Sequence, residues 1–327
     1  MKYAVISDIH GNLPALEAVL NDAKNDKVNA YIFVGDYCLS NPFPNECLDR
    51  IRNINNKFII RGNEELYLEN LIDKDQSTWT DGQMQISYYC YSAVSEDNLK
   101  YILSIPTKLK INSHGIDINI AHSSSEFIGD CEHKEWSTSK LASKYKAQII
   151  TVKSLHNDIH DYIENDEKCR SVIGNLESGI YIFGHSHVQW SWQSEDGNIT
   201  LINPGSCGLP LDGIKNSIPY TILEISDNGH VTIEEKRLPF SMEDYIDILR
   251  KSDQYEKANV WTKVIIKELN SGFEHLYFFL RYVEEYADKI GDTRRPYVVD
   301  TWEKAYELWK KEYCNERIKE RQQWLHG

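Results

Sequence analysis

With 327 residues, 41% of them apolar and 26% charged, the chain is neither a fibre nor a disordered segment and can bury a sizeable core. Its 36 Lys and Arg against 50 Asp and Glu leave a formal charge of −14, a field that disfavours duplex nucleic acid and anionic membrane surfaces. A phosphorylated substrate remains compatible with that field if a metal supplies positive charge locally.

In chain order, β-branched and apolar runs predict strands at Tyr3 to Ser7, Ala30 to Gly35 and Lys57 to Gly62. Between the first two, Leu13, Leu16, Val19, Leu20 and Ala23 share one helical face, with Asn12 as N-cap. A helix over Asn45 to Asn53 precedes the third strand. This strand–helix–strand alternation predicts an α/β core that begins with parallel strands. Leu109 to Asn112 and Ile116 to Ala121 flank His114-Gly115 and predict a hairpin. Further strands are expected at Ile180 to Gly184, Ile199 to Asn203 and Tyr220 to Ile225, for a mixed sheet.

Two stretches interrupt this pattern. Residues 123–178 are polar and helical in character. Residues 240–327 carry helical runs punctuated by Gly272 and Gly291, which stand where C-cap glycines would. That tail holds 16 of the chain's Phe, Trp and Tyr residues, which predicts a packed helical core of its own. The expected division is a domain over 1–239 with a helical insertion at about 123–178, then a helical extension over 240–327. No apolar run approaches the ~20 residues of a membrane span, and the first residues enter a strand-like run with no leader pattern. The seven cysteines are scattered, with no Cys-x-x-Cys pair. A cytoplasmic protein with reduced thiols is expected.

Side chains that bind metals follow five of the predicted strands. Asp8 and His10 follow the first, Asp36 the second, Asn63 the third, His122 the hairpin strand, and His185 and His187 the next. Sites in open α/β sheets form beyond the carboxyl ends of strands, so these loops are placed to converge. Carboxylate, amide oxygen and imidazole together suit Mn²⁺ first, with Fe, Zn²⁺ or Ni²⁺ as alternatives. Seven side chains are too many for one tetrahedral ion and fit two divalent ions that share a carboxylate.

The order Asp8-x-His10, Gly35-Asp36, Gly62-Asn63, His122 and Gly184-His185-x-His187 resembles the signature of the calcineurin-like metallophosphoesterases. Asn203-Pro204-Gly205-Ser206-Cys207-Gly208-Leu209-Pro210 is similar to a segment of that superfamily's small bacterial phosphodiesterase branch, as is the stretch from Gly35-Asp36-Tyr37 to Pro44-Asn45-Glu46-Cys47. The resemblance covers roughly residues 1–236. It implies an α/β four-layer αββα sandwich, two sheets flanked by helices. It further implies that Asp8, His10 and His187 hold one ion and Asn63, His122 and His185 the other, with Asp36 bridging. Two cations about 3.5–4 Å apart can hold a hydroxide nucleophile at neutral pH and clamp phosphoryl oxygens during in-line attack. The implied activity is hydrolysis of a small phosphodiester or nucleotide pyrophosphate bond. Rival readings are a phosphomonoesterase or phosphoprotein phosphatase, and a non-catalytic binding scaffold on the same fold.

Two departures from the family pattern bear on specificity. Where many members read Gly-Asn-His, this chain reads Gly62-Asn63-Glu64-Glu65, so Glu64 stands where a histidine would protonate the leaving group. A carboxylate replaces that donor only if its pKa is raised. Leu211 stands where the branch often has Arg, so one phosphate contact is either absent or left to Arg61 or to the inserted helices. Ser123-Ser124-Ser125 lacks the Gly-x-Ser-x-Gly elbow of a nucleophilic serine and reads as a site wall. His156, His160 and Asp161 read as a solvated helix face, Arg294-Arg295 as a surface pair, and Trp302, Tyr306 and Trp309 as core packing. The expected partner is a small phosphorylated or nucleotide substrate, with no membrane. The C-terminal helices are expected to restrict that substrate or to form an oligomer interface.

Overall fold

A computed structural model describes residues 1–132, 136–145 and 150–326. Residues 133–135 and 146–149 of the expected insertion, and residue 327 of the extension, lie outside the described residues. The strands are β1 (Lys2–Ile6), β2 (Ala30–Phe33), β3 (Lys57–Ile59), β4 (Lys108–Ser113), β5 (Ile116–Ala121), β6 (Gly179–Ile182), β7 (Gln189–Gln193), β8 (Ile199–Pro204), β9 (Ser217–Ile225) and β10 (Val231–Pro239).

The residues of β1 show how the layers arise. Successive side chains of a strand point to opposite faces. Tyr3 and Val5 join Ile32, Ile118, Ile120, Ile180 and Ile182 in a core between two sheets. Ala4 and Ile6 point the other way, into a core shared with Leu16, Val19 and Leu48. A strand buried on both faces must be apolar throughout, which is why this run shows no alternation.

One sheet has the order β10-β9-β1-β2-β3 and the other β4-β5-β6-β8-β7. In the first, β1, β2 and β3 are parallel and β9 runs antiparallel to β1. In the second, β4 and β5 form the predicted hairpin, β5, β6 and β8 are parallel, and β7 is antiparallel to β8. Strands β7 and β10 go beyond the predicted set. Their sequences, Gln-Trp-Ser-Trp-Gln and Val-Thr-Ile-Glu-Glu-Lys-Arg-Leu-Pro, carry the polar residues tolerated by the outermost strands of each sheet.

Helices cover the outer faces. Over the first sheet lie α1 (Leu13–Asn25), α2 (Pro44–Arg52), α3 (Asn63–Glu69), α4 (Gln85–Ala93) and α5 (Glu96–Ser104). Asn12 caps α1 as predicted, its side-chain oxygen accepting from the Ala15 N–H at 3.2 Å. Over the second sheet the insertion supplies α6 (Ser125–Ile128), α7 (Thr138–Tyr145), α8 (Val152–Asn165) and α9 (Glu167–Gly174). Their Leu141, Leu155, Ile159 and Ile173 pack on Tyr181, Phe183, Trp190 and Leu201. The result is the four-layer αββα sandwich.

After β10 the chain continues as α10 (Met242–Arg250), α11 (Asp253–Lys257), α12 (Asn259–Ser271), α13 (Leu276–Ile290) and α14 (Val299–His326). Gly272 and Gly291 end α12 and α13 in the left-handed region, at φ 74° and 70°. Met242, Tyr245, Leu249 and Ile265 belong to the core that α1 and α2 share. A second cluster, built on Phe279, Trp302, Tyr306 and Trp309, belongs to the tail alone. Among the described residues no helix is long and apolar enough to cross a membrane.

Candidate metal centre

Three of the five strand-end loops carry backbone strain at the predicted ligands. Asp8, His10, Asp36, His185 and His187 have φ between 52° and 68°, the left-handed region that side-chain-bearing residues seldom enter. Such conformations cost about 1–3 kcal/mol each and persist where the surroundings over-determine them. Here the loops fix one another. Asp8 N–H donates to Gly35 O at 3.1 Å, His10 N–H to Asp36 O at 2.9 Å and Gly184 N–H to His122 O at 2.8 Å. Close approach excludes side chains at two crossings. A Cβ on Gly62 would overlap the Asp36 carboxylate, and one on Gly184 would overlap Ser7 and Asp8.

Three imidazoles are oriented from behind. His10 Nδ1 faces Glu64 Oε2 at 2.9 Å, His122 Nδ1 faces Val34 O at 2.7 Å and His187 Nδ1 faces Leu209 O at 2.8 Å. A carbonyl only accepts, so His122 and His187 carry their protons on Nδ1 and turn the lone pairs of Nε2 inward. His10 Nε2 and His187 Nε2 then meet at 2.9 Å, with Asp8 Oδ1 3.8 and 3.4 Å from them. Converging nitrogen lone pairs repel unless a cation lies between them.

Donor atoms of Asp8, His10 and His187 form one group within 4.8 Å, and those of Asp36, His122 and His185 form another. Asp8 Oδ1 and Asn63 Oδ1 are buried without any hydrogen-bond partner, and His122 Nε2 faces only Asp36 Oδ2, 3.1 Å away. Buried polar atoms are nearly always satisfied, and a bound ion is a standard reason for exceptions. Orphaned oxygen and nitrogen donors with backed imidazoles are what borderline divalent cations require. The residues present therefore fit divalent metal ions.

The electrostatics agree. Burial works against ionising Asp8, yet the adjacent His187 imidazole, with His122 and His10, holds its carboxyl well below the usual range. Burial likewise opposes the Asp36 carboxylate, but His122 lowers its pKa. Burial also opposes charge on His122, and in the metal-free protein the Asp36 and Asp8 carboxylates override it, raising the pKa to about 10; a metal ion at Nε2 would take the place of that proton. Cations and carboxylates stabilise one another here, so the pocket is built for positive charge.

Four supporting residues lie outside the predicted site. Glu65 is fully buried, and its carboxylate accepts from the N–H groups of Asp36, Gly62 and Tyr37 at 3.0, 2.7 and 2.7 Å. Asn203 donates to Gly184 O at 3.1 Å and to Ser186 Oγ at 2.9 Å, while Ser206 Oγ donates to Asp8 O at 2.7 Å. The Asn-Pro-Gly-Ser segment thus braces two ligand loops. Glu132, from the insertion, is 2% exposed and accepts from Ser186 Oγ, Trp190 Nε1 and Asn203 Nδ2 at 2.5, 2.9 and 3.1 Å. Sequence spacing gave no sign of Glu132, whereas Glu65 adjoins Glu64 in the Gly-Asn motif.

Other candidates sit elsewhere. Arg61 pairs with Glu69 at 2.8 Å, and Leu211 is buried in the core. His156 lies 2.9 Å from Glu235, and His160 Nε2 donates to Ser191 O at 2.8 Å. These contacts pin α8 onto the sandwich, so the pair is a docking feature and not a solvated face. Arg294 pairs with Asp292, and Arg295 stacks on Tyr297.

A four-layer sandwich with a carboxylate–imidazole cluster at its strand ends is the architecture of a metallophosphoesterase. The family model of the calcineurin-like phosphoesterases matches residues 1–189, more than half the chain and a span that contains the seven predicted ligands, and the chain belongs to that family. Uncharacterized protein MJ0912 of Methanocaldococcus jannaschii is 29% identical over 246 residues, 68% of this chain and 83% of that one. A metallophosphoesterase from Sphaerobacter thermophilus shares the fold at a TM-score of 0.56 and 20% identity, over 83% of this chain and 99% of its own. Hypothetical protein PH1004 from Pyrococcus horikoshii OT3 is similar at a TM-score of 0.54 and 18% identity, over 84% and 99%.

Proposed function

We propose that the protein is a dinuclear metal-dependent phosphodiesterase that hydrolyses a small phosphodiester or nucleotide pyrophosphate bond. The observation that carries this reading is the 2.9 Å approach of His10 Nε2 to His187 Nε2, beside a second group at Asp36, His122 and His185. Divalent ions there, with Mn²⁺ expected first, supply charge for the phosphoryl oxygens and lower the pKa of attacking water.

In this reading Asp8, His10 and His187 hold one ion, Asn63, His122 and His185 the other, and Asp36 is shared. The Glu64 N–H steadies Asp36 by donating to its Oδ1 at 2.9 Å. Water oxygen bonds to phosphorus, the opposite P–O bond breaks, and the leaving oxygen must recover a proton. His10, His122 and His187 each have Nδ1 engaged. Burial and the Asp36 carboxylate raise the Glu64 pKa well above the usual carboxylate range, but its side chain is taken up by His10 at 2.9 Å, so in this reading all four serve positioning. The leaving group then draws its proton from solvent, which favours leaving groups of low pKa. Activated diesters and pyrophosphates meet that condition better than alkyl monoesters. A reducing, cytoplasmic setting is supported by the buried free thiols of Cys38, Cys47, Cys90, Cys131, Cys169 and Cys207.

The test is a substrate screen with added Mn²⁺. Bis(p-nitrophenyl) phosphate or a nucleotide pyrophosphate should be hydrolysed faster than glycerol 2-phosphate. The reverse order would contradict the reading.

A further inference from the structure

A cavity of about 460 Å³ opens beside His185. Three parts of the chain wall it: Ser123 and Ser125 after β5, Thr138 and Ser139 of the insertion, and Glu274 and Tyr277 of the tail. We propose that this cavity is the subsite for the alcohol moiety of the substrate and that it takes an uncharged polyol, a glyceryl or glycosyl group. The inference rests on the phosphodiesterase reading of the neighbouring metal centre and narrows its substrate, selecting polyol diesters over nucleoside polyphosphates.

Position is the first argument. Ser123 directly follows His122, and Ser186 lies between His185 and His187. A phosphoryl group at the metal-binding loops would send its ester substituent into this space. The volume falls within the range of small-molecule pockets and accommodates a group of sugar size.

Wall chemistry is the second. Ser123 Oγ and Ser125 Oγ bond at 2.8 Å, Thr138 Oγ1 donates to Glu274 Oε2 at 2.9 Å, and Ser186 Oγ donates to Glu132 Oε1 at 2.5 Å. A hydroxyl that has donated keeps acceptor lone pairs, and a carboxylate only accepts. Apart from the one O–H that the Ser123–Ser125 pair keeps free, the wall therefore calls for donors, which alcohol O–H groups provide. Asp130, Glu132 and Glu274 line the space, and no lysine or arginine does so among the described residues. A second phosphate would face the Glu132 and Glu274 carboxylates, with no lysine or arginine among the described lining residues to offset them. Tyr277 adds an aromatic ring, 46% exposed, against which sugar C–H groups can pack.

The wall is also held in place. Gly213 N–H donates to Gly272 O at 2.8 Å, tying the tail to the loop after β8, and Glu274 Oε1 accepts from the Tyr277 N–H at 2.8 Å.

The test compares glyceryl p-nitrophenyl phosphate with methyl p-nitrophenyl phosphate, which share a leaving group, and with diadenosine tetraphosphate, on the full chain with Mn²⁺. The glyceryl diester should show a KM at least tenfold below that of the methyl diester, and the tetraphosphate should be slowest. Thr138→Val and Ser125→Ala should each erode the glyceryl-to-methyl selectivity. Ser125 lies away from the tail, so its variant decides the matter if Thr138→Val disturbs folding. Equal KM values, intact selectivity in both variants, or a preference for the tetraphosphate would overturn the proposal. If neither diester turns over, the phosphodiesterase reading fails, and the subsite is judged by saturation-transfer NMR of glyceryl methyl phosphate on metal-free protein. Saturation of glyceryl protons that weakens in Ser125→Ala supports the subsite; saturation confined to the methyl group, or unchanged in the variant, refutes it.

Discussion

Glu64 Oε2 stands 2.9 Å from His10 Nδ1, and the opposite nitrogen of the same ring stands 2.9 Å from His187 Nε2. The carboxylate therefore backs a candidate ligand, fixing its tautomer and raising its basicity, an arrangement that recurs wherever histidine binds a metal. The sequence alone left open whether Glu64 replaces a leaving-group donor or merely occupies the position. Its contact with His10 supports a positioning role. Glu64→Ala should weaken binding of the first Mn²⁺ or Zn²⁺ by about 10–100-fold, read by isothermal titration, with the circular dichroism spectrum unchanged. Unaltered affinity would mean that the contact is incidental.

Glu65 carries a structural load. Its removal leaves the N–H groups of Asp36, Tyr37 and Gly62 without their shared acceptor. Orphaned buried donors cost about 1–3 kcal/mol each, so Glu65→Ala should destabilise the fold by roughly 3 kcal/mol or more. Urea denaturation measures this, and a loss below about 1 kcal/mol would contradict the assignment.

Docking of α8 should depend on pH. Burial opposes charge on His156, but Glu235 at 2.9 Å outweighs it and raises the pKa above 6.5, with Arg237 nearby pulling the other way. A histidine whose folded pKa is raised contributes stability that is complete below its unfolded pKa and is lost as pH rises through the folded value. Amide exchange across 152–165, corrected for intrinsic rates, should accelerate from pH 6 to pH 9. Glu235→Gln should flatten that dependence; an identical slope in the variant would sink the idea.

The tail is fastened at a glycine pair. Gly272 has φ 74°, and a Cβ there would come within 3.3 Å of Gly213 Cα. Gly272→Ala combines left-handed strain with crowding and should cost about 1–2 kcal/mol. Denaturation midpoints give the comparison, and a neutral substitution would show that the two loops move apart easily.

Legibility of the sequence followed the physics of burial. The seven predicted ligands stood out because each follows an apolar run, and a strand buried on both faces announces its own end. Strands β7 and β10 did not stand out, because an outer strand can carry Gln, Glu and Lys on a wetted face. The tail read as separate since aromatic density shows that a core exists without showing with whom it is shared; Tyr245 and Leu249 in fact pack with α1 and α2. Glu132 was invisible, because a buried carboxylate in a polar insertion looks like any solvated one until its three donors are seen.

The central claim is a pair of ions held through Asp36. Elemental analysis of the full chain after Mn²⁺ loading and gel filtration, wild type against Asp36→Asn, tests it most directly. The wild type should retain two ions per chain and the variant markedly fewer, with bis(p-nitrophenyl) phosphate hydrolysis lost in parallel and the fold intact. Two ions retained by the variant together with full hydrolysis, or a wild type that holds none and still turns over, would contradict the account.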